Sequence, residues 1–242
     1  MKNLLIFDVE TVPCVASARN LLHLQDETIA DDVIIQKLVE YHTNSFNNPF
    51  PRQLFHKIVC ISFMYCEIDV IDGKETYTIK ELKTGGRNGE GEAEILEKFC
   101  NFIGKVKPRI ISFNGKTFDM PVIQYRSMMH KIPSPWMHGF DFTYKYGTKI
   151  HIDLLDSFSN FGSSARIKMS EICALLNIPC KQNASGDSVL SMHTEGKIKE
   201  ICDYCESDVV ATYILYLYFQ MHAGLISVET LELCKEKALE LM

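Results

Sequence analysis

The start of the chain constrains the fold most. Residues 2–8 are a short apolar run without polar alternation, which predicts a buried strand. Asp8 and Glu10 end this run, and residues two apart on a strand point to the same side. Two neighbouring carboxylates repel each other unless a cation lies between them, and hard divalent ions take oxygen ligands. The pair therefore indicates either a metal site or an acidic strand end in solvent.

In the rest of the chain, strands come first and mostly helices follow. Apolar runs and turn residues predict further strands at 58–68, 75–79, 109–113 and 149–155. Helical periodicity predicts helices at 15–43, 92–106, 118–130, 168–176, 198–222 and 228–242. Loops are expected at 44–51 and 83–91, the second with four glycines, and a turn at 69–73. This order indicates one α/β or α+β domain over residues 1–242, built on a mixed sheet.

Composition is that of a soluble globular protein, with 46% hydrophobic and 23% charged residues. The net charge of −6 argues against tight, sequence-independent binding to nucleic acid, although bound cations can reverse the local sign. The first apolar run ends too early for a signal peptide, and no run reaches the roughly 18 residues of a membrane span. We therefore expect a cytoplasmic protein without membrane contact, whose nine cysteines are reduced thiols. The Cys202-x-x-Cys205 pair is a weak zinc or redox signal, because no second pair has zinc spacing.

Two further acids lie in helical contexts. Asp119 follows Phe118 after an Asn-Gly turn that leads from a strand into a helix. It is either a site residue or a simple helix-start acid, because the helix dipole favours an acid there; Phe118 belongs to the core or stacks on a base. Tyr204 and Asp208 are four apart and share one face of a largely apolar helix. A carboxylate on such a helix is costly unless it is paired or binds a metal.

These segments resemble the three sequence motifs of the DEDD 3′–5′ exonucleases. The matching residues are 7–13, 112–123 and 204–208, and the Asn-Gly-x-x-Phe-Asp-x-Pro pattern at 114–121 is the most specific. Tyr204 places the chain with the tyrosine subtype, because the histidine subtype would need a histidine where Asp203 stands. The chain is most similar to stand-alone bacterial proteins related to the proofreading exonuclease domain of family-B DNA polymerases. Residues 15–50 do not align with the polymerases by their motifs and are interpreted as an insert, and 152–155 resemble the strand between the second and third motifs.

The resemblance implies a ribonuclease H-like α/β fold with a mixed sheet flanked by helices, and hydrolysis of DNA from the 3′ end to nucleoside 5′-monophosphates. Four carboxylates would hold two divalent cations, Mg²⁺ or Mn²⁺: Asp8, Glu10, Asp119 and Asp208. Tyr204 would orient the attacking water, since a phenol is a poor general base. Three residues would position the terminal nucleotide: Thr11, Asn114 and Phe118. The expected partner is a single-stranded or frayed 3′ end. Without metal the clustered acids should either leave the site disordered or raise a carboxyl pKa.

Other functions remain open on the sequence. A 3′–5′ exoribonuclease of the same fold would carry the same motifs, and only substrate competition would distinguish it. A non-catalytic nucleic-acid-binding module would be expected to have lost at least one of the four carboxylates, and all four are present. A metal-dependent phosphatase or nucleotidase is a remoter possibility, which would act on mononucleotides and ignore polymer length.

Overall fold

The structure, a computed structural model, describes residues 1–139, 142, 144, 146–180 and 186–242, apart from the side chains of 186 and 187. In these residues five strands form one sheet of order β3-β2-β1-β4-β5. The strands are β1 (Asn3–Pro13), β2 (His56–Ile71), β3 (Lys74–Gly85), β4 (Arg109–Ser112) and β5 (His151–Asp153). β1 pairs antiparallel with β2 and parallel with β4, and β4 pairs parallel with β5. The predicted mixed sheet is therefore present, with β1 at its centre.

Helices cover both faces of this sheet. They are α1 (Val15–Leu22), α2 (Asp31–Phe46), α3 (Glu92–Val106), α4 (Asp119–Met129), α5 (Leu154–Phe158), α6 (Met169–Leu175), α7 (Gly186–Thr194), α8 (Ile198–His222) and α9 (Val228–Leu239). Within the described part of the chain, no helix is both long enough and apolar enough to cross a membrane.

The central strand β1 is buried on both faces because its side chains alternate between two cores. Leu4 and Ile6 pack in one cluster with residues of α8 and α9. Leu5 and Phe7 pack in the other cluster with residues of α3 and α4. All four side chains are at most 1% exposed. The predicted buried strand is confirmed, but it continues to Pro13, so Asp8 and Glu10 lie within it rather than at its end.

Several predicted boundaries were wrong. The helix predicted at 15–43 is two helices, because His23 takes a left-handed conformation (φ 55°) that ends α1. The predicted loop at 83–91 begins later, since β3 continues to Gly85 alongside β2. Helix α7 was not predicted. The helices predicted at 92–106 and 198–222 have the observed bounds of α3 and α8.

The predicted insert at 15–50 is a helical pair with a small core of its own. Ala18 of α1 packs with Ile34 and Leu38 of α2 and with Phe55 just before β2. The segment after α2 is tied to the second motif, because the Gln53 side chain donates a hydrogen bond to the carbonyl of Thr117 (3.1 Å). These contacts place the predicted insert beside the C-terminal half of β1, which carries the acids.

Candidate active site

Three carboxylates from two elements meet beside the centre of the sheet. Asp8 and Glu10 project from the same side of β1, and Asp208 projects from α8, which packs on that face. One oxygen from each lies within 4.8 Å of the other two. All three side chains are half-buried. A set of carboxylate oxygens at this separation suits a hard divalent cation such as Mg²⁺ or Mn²⁺.

Burial and mutual repulsion both act on these acids. Burial raises the pKa of Asp8 to about 6, although hydrogen bonds from the Cys205 thiol and the Val9 amide oppose the shift. The pKa of Glu10 is raised well above its usual range, first by burial and then by the charges of Asp8, Asp208 and Asp119. The expectation of a raised carboxyl pKa is confirmed, with burial as its largest cause. At neutral pH a bound cation would offset the mutual repulsion of the ionised acids.

Asp119 lies beside this group without being part of it. Among the described residues, the group whose oxygens all approach within 4.8 Å contains Asp8, Glu10 and Asp208 only. Asp119 is the first residue of α4 and is 5% exposed. Its carboxylate accepts a hydrogen bond from the Val9 amide, and its pKa is raised by burial and then by the charge of Asp8. The structure thus brings oxygens of three of the four predicted carboxylates within 4.8 Å of one another and leaves the fourth adjacent.

Asp153 holds the loop of the second motif in place. Its two carboxylate oxygens accept hydrogen bonds from the amides of Asn114 and Lys116, each at 2.9 Å. Asn114 is left-handed (φ 69°), and a Cβ on Gly115 would overlap the side chain of Ser112, so the turn is tight. Sequence analysis included Asp153 only as part of the predicted strand at 149–155. Its position before α5 is that of an N-cap acid, and this signal could have revealed it.

Tyr204 lies one helical turn before Asp208 on α8. Its hydroxyl and the Asp208 carboxylate form a hydrogen bond, and its pKa is raised by burial and then by the charges of Asp208 and Glu10. The phenol therefore stays protonated at any physiological pH. It can donate and accept hydrogen bonds beside the acids, but it does not act as an anionic base.

His56, which sequence analysis missed, orients Thr11. One ring nitrogen, Nε2, lies 3.0 Å from the carbonyl of Pro51, so it carries the proton and donates. Burial lowers the pKa of His56, which keeps the ring neutral. Its other nitrogen, Nδ1, must then accept a hydrogen bond, and the Thr11 hydroxyl donates it at 2.9 Å. The lone pairs of the Thr11 oxygen are thereby left as acceptors.

A groove of about 750 Å³ joins the predicted substrate residues to Glu10. It is lined by Glu10, Thr11, Asn114, Phe118 and Tyr204, among others. This volume lies within the roughly 300–1,000 Å³ typical of ligand sites. All three predicted substrate-binding residues therefore share one groove with the predicted catalytic tyrosine.

Asn114 and Phe118 make different contacts in that groove. The Asn114 side-chain oxygen accepts a hydrogen bond from Arg166 (2.5 Å). The Phe118 ring packs partly against the core and also faces Phe50 and His56, with ring centroids 5.9 and 5.1 Å away. Phe118 thus packs against the core and also lines the groove, while its stacking on a base stays a prediction.

All nine cysteines are free thiols, as expected. Cys202 and Cys205 are fully buried, and the thiol of Cys60 is within hydrogen-bonding reach of both. The Cys205 thiol also donates to a carboxylate oxygen of Asp8 at 3.4 Å. The CxxC pair thus packs beneath the acidic group, in the core shared by β1, β2 and α8.

Comparison with known protein families agrees with this geometry. A family model described as "Predicted 3'-5' exonuclease related to the exonuclease domain of PolB" matches residues 48–242, which is most of the chain. The chain belongs to this family. The match includes the second and third motifs with Asp119, Tyr204 and Asp208, while Asp8 and Glu10 precede it.

The curated relatives of this exonuclease family member are much longer proteins. The catalytic subunit of DNA polymerase epsilon from Kluyveromyces lactis is 27% identical over 227 residues, covering 84% of this chain and 10% of the relative. The corresponding polymerase epsilon protein of Schizosaccharomyces pombe is 28% identical over 196 residues, covering 70% and 9%. This chain therefore spans about a tenth of the length of the curated relatives it matches.

A solved structure supports the fold. The family B DNA polymerase of the archaeon Pyrobaculum calidifontis superposes with a TM-score of 0.54 at 14% identity, covering 91% of this chain and 25% of that chain. At this identity the likeness concerns the fold alone. The predicted ribonuclease H-like α/β fold, a mixed sheet flanked by helices, is confirmed.

Proposed function

We propose that this chain is a metal-dependent 3′–5′ exonuclease that hydrolyses DNA from the 3′ end and releases nucleoside 5′-monophosphates. The observation that carries the proposal is the approach of Asp8, Glu10 and Asp208 within 4.8 Å of one another, with Glu10 also lining a nucleotide-sized groove. Membership of the exonuclease family supports the reaction class. The curated relatives are DNA polymerases, which favours DNA over RNA as the substrate.

The residues present fit a pair of divalent cations, Mg²⁺ or Mn²⁺. The donors are carboxylate oxygens, which such ions prefer, and the charges acting most strongly on Glu10 are those of other acids. The proposed ligands are Asp8, Glu10, Asp119 and Asp208. Cations bound there would lower the pKa of a water molecule and stabilise negative charge on the leaving oxygen.

The chain's own residues supply positioning. Tyr204, protonated and hydrogen-bonded to Asp208, orients the attacking water rather than removing its proton. Thr11 offers an acceptor to a sugar hydroxyl, because its own proton is directed to His56. Asn114 and Phe118, which line the same groove, contact the terminal nucleotide. Tyr204 is thus proposed as catalytic, and the other three as substrate-binding residues.

The decisive assay uses matched 5′-labelled DNA and RNA, single- and double-stranded, with Mg²⁺, Mn²⁺ or a chelator. A descending ladder from single-stranded or frayed DNA is expected only with metal, together with 5′-monophosphates identified by mass spectrometry. Immediate release of the labelled 5′ nucleotide, or cutting of a closed circle, would contradict the proposed polarity. Faster degradation of RNA than of DNA would assign the chain to exoribonucleases, and hydrolysis of free mononucleotides alone would make it a nucleotidase.

A further inference from the structure

The groove at the acidic group has a second wall, which the insert provides. Ile35 and Val39 of α2 line it, together with residues 49–51 of the segment that follows this helix. Helix α2 precedes residues 48–242, the part of the chain that the family model matches. Residues 49–51 lie within the matched part, but both they and α2 lie outside the three exonuclease motifs, so this wall adds a surface that the motifs do not include.

Phe50 is the most prominent side chain of this wall. It is 49% exposed, although it lies among apolar neighbours. Its ring centroid is 5.0 Å from that of His56 and 5.9 Å from that of Phe118, with tilts of 36° and 47°. The three rings form a continuous aromatic surface, and the exposed side of Phe50 is its outermost part.

Local contacts hold Phe50 in this position. Its amide donates to the side chain of Asn48 at 2.9 Å, and the flanking Pro49 and Pro51 restrict the backbone. The Pro51 carbonyl accepts a hydrogen bond from Nε2 of His56. This bond leaves Nδ1 of the same ring to accept from the Thr11 hydroxyl. An exposed ring on a restrained backbone loses little conformational entropy when a ligand covers it.

The chemistry of the wall selects the kind of ligand group that it can bind. Ile35, Val39 and Phe50 carry no charge, so they offer nothing to a phosphate. A nucleobase presents a flat aromatic face, and stacking on protein rings tolerates any base sequence. Inside a duplex the neighbouring base pairs cover both faces of a base, whereas unpaired bases at a frayed end can turn a face toward a side chain.

We propose that Phe50, backed by Phe118 and bordered by α2, stacks on an unpaired base near the 3′ end that lies at the acidic group. The insert thereby selects single-stranded or frayed ends. This inference rests on the proposed function for the location of the 3′ end, and its test is a binding measurement that does not need turnover.

The test compares two single-stranded oligodeoxynucleotides, one ordinary and one in which the last two nucleotides lack bases. All proteins carry Asp208→Asn to prevent degradation, and Kd is measured with Mn²⁺ present. Phe50→Ala should weaken binding of the ordinary oligonucleotide by about 5- to 150-fold, the range expected for one stacked base. It should leave binding of the oligonucleotide without terminal bases unchanged. Phe50→Trp should restore the base-dependent affinity.

Tyr125→Ala is the matched control, since Tyr125 is an aromatic residue of α4 that is 42% exposed and outside the groove lining. Equal affinity of Phe50→Ala and the parent for the ordinary oligonucleotide would overturn the inference. So would an equal loss for both oligonucleotides, because the ring would then support the fold rather than a base.

The two proposals fail in different ways. If binding through Phe50 depended on the bases but the wild-type chain hydrolysed no DNA, the stacking proposal would be supported and the nuclease proposal refuted. Hydrolysis from the 3′ end with no base-dependent effect of Phe50 would remove only the stacking surface. No binding of either oligonucleotide would refute both.

Discussion

At the scale of single residues, removing the hydroxyl of Tyr204 tests whether this side chain is catalytic or only packs in the core. Tyr204→Phe keeps the ring and removes the oxygen that bonds to Asp208. We expect kcat to fall by roughly 10- to 10³-fold, as for one lost transition-state contact, while KM and Tm change little. Single-turnover rates on labelled DNA and thermal melting measure the two effects.

Tyr213→Phe is the matched control for this variant. Tyr213 lies on the same helix, is fully buried, and directs its hydroxyl toward Cys66 and Cys234 rather than the acids. Loss of the Tyr213 hydroxyl should leave kcat unchanged. Wild-type turnover in Tyr204→Phe would mean that Tyr204 only packs in the helix.

Replacing Glu10 is expected to change the stability of the fold, and this effect can be measured without an activity assay. Burial and three neighbouring acids raise its pKa, so its ionised form destabilises the fold when no cation is bound. Glu10→Gln removes one charge and should raise Tm in chelator, by roughly 2–4 °C for each kcal/mol of repulsion relieved. Added Mn²⁺ should then stabilise this variant less than the wild type, because one ligand is gone.

Differential scanning fluorimetry with and without Mn²⁺ measures both quantities. Glu94→Gln is the control, since Glu94 is exposed and pairs with Lys98 on the surface of α3. If Glu10→Gln is no more stable than wild type in chelator, and Mn²⁺ raises both Tm values equally, the acids do not form a cation site.

At the scale of elements, Glu92 joins α3 to α4 and to β2. Its carboxylate accepts hydrogen bonds from two nitrogens of Arg126, from His130 (2.8 Å) and from the Ile58 amide (2.7 Å). Burial raises the pKa of Glu92, but these hydrogen bonds and the charge of Arg126 outweigh it and leave the pKa below its ordinary value of 4.5. The ionised carboxylate therefore stabilises the fold.

Glu92→Gln should lower the free energy of unfolding by about 3–5 kcal/mol near neutral pH, because Arg126 is left buried without its partner. A carboxyl group whose pKa is lowered by folding stabilises the fold at pH values above its pKa in the unfolded chain. This contribution is lost as the pH falls through its pKa in the folded chain. The difference between wild type and variant should thus stay constant above about pH 5 and shrink below pH 4.5.

Urea unfolding from about pH 3 to 8 measures this difference. Glu94→Gln on the same helix should cost no more than about 1 kcal/mol at any pH, as exposed pairs do. If Glu92→Gln lowered the free energy of unfolding equally across this pH range, the shape of the Glu92 side chain, not its charge, would account for its contribution to stability.

Elements with strong internal periodicity could be predicted from the sequence, and elements defined by contacts could not. Helices α3 and α8 follow from their apolar spacing and ends. The split between α1 and α2 depends on one left-handed residue, His23, which periodicity does not reveal. The extent of β3 depends on its pairing with β2, which continues up to Gly85.

At the scale of the whole molecule, short motifs predicted four acids, of which three meet and Asp119 lies adjacent, but not the residues that hold the site in place. Asp8, Glu10 and Asp208 are recognisable because their local patterns place carboxylates on a buried strand and a buried helix. Asp153 and His56 act through partners 39 and 45 residues away in sequence, so only the fold brings them to the site. The aromatic surface of Phe50 depends likewise on how the insert packs.

Because the chain carries a net charge of −6, the proposed nuclease activity is expected to depend on bound metal. An acidic chain with an acidic site approaches a phosphodiester favourably only when cations reverse the local sign. Affinity for DNA is then expected to come from bound cations and stacking more than from basic side chains.

The most direct test is the single-turnover degradation of 5′-labelled single-stranded DNA by wild type and Asp208→Asn, with Mn²⁺ or with chelator. We expect a descending ladder for wild type with Mn²⁺, no degradation in chelator, and a rate at least about 100-fold lower for Asp208→Asn with Mn²⁺. Degradation by Asp208→Asn at the wild-type rate, or by wild type in chelator, would contradict a metal-dependent 3′–5′ exonuclease built on Asp8, Glu10 and Asp208.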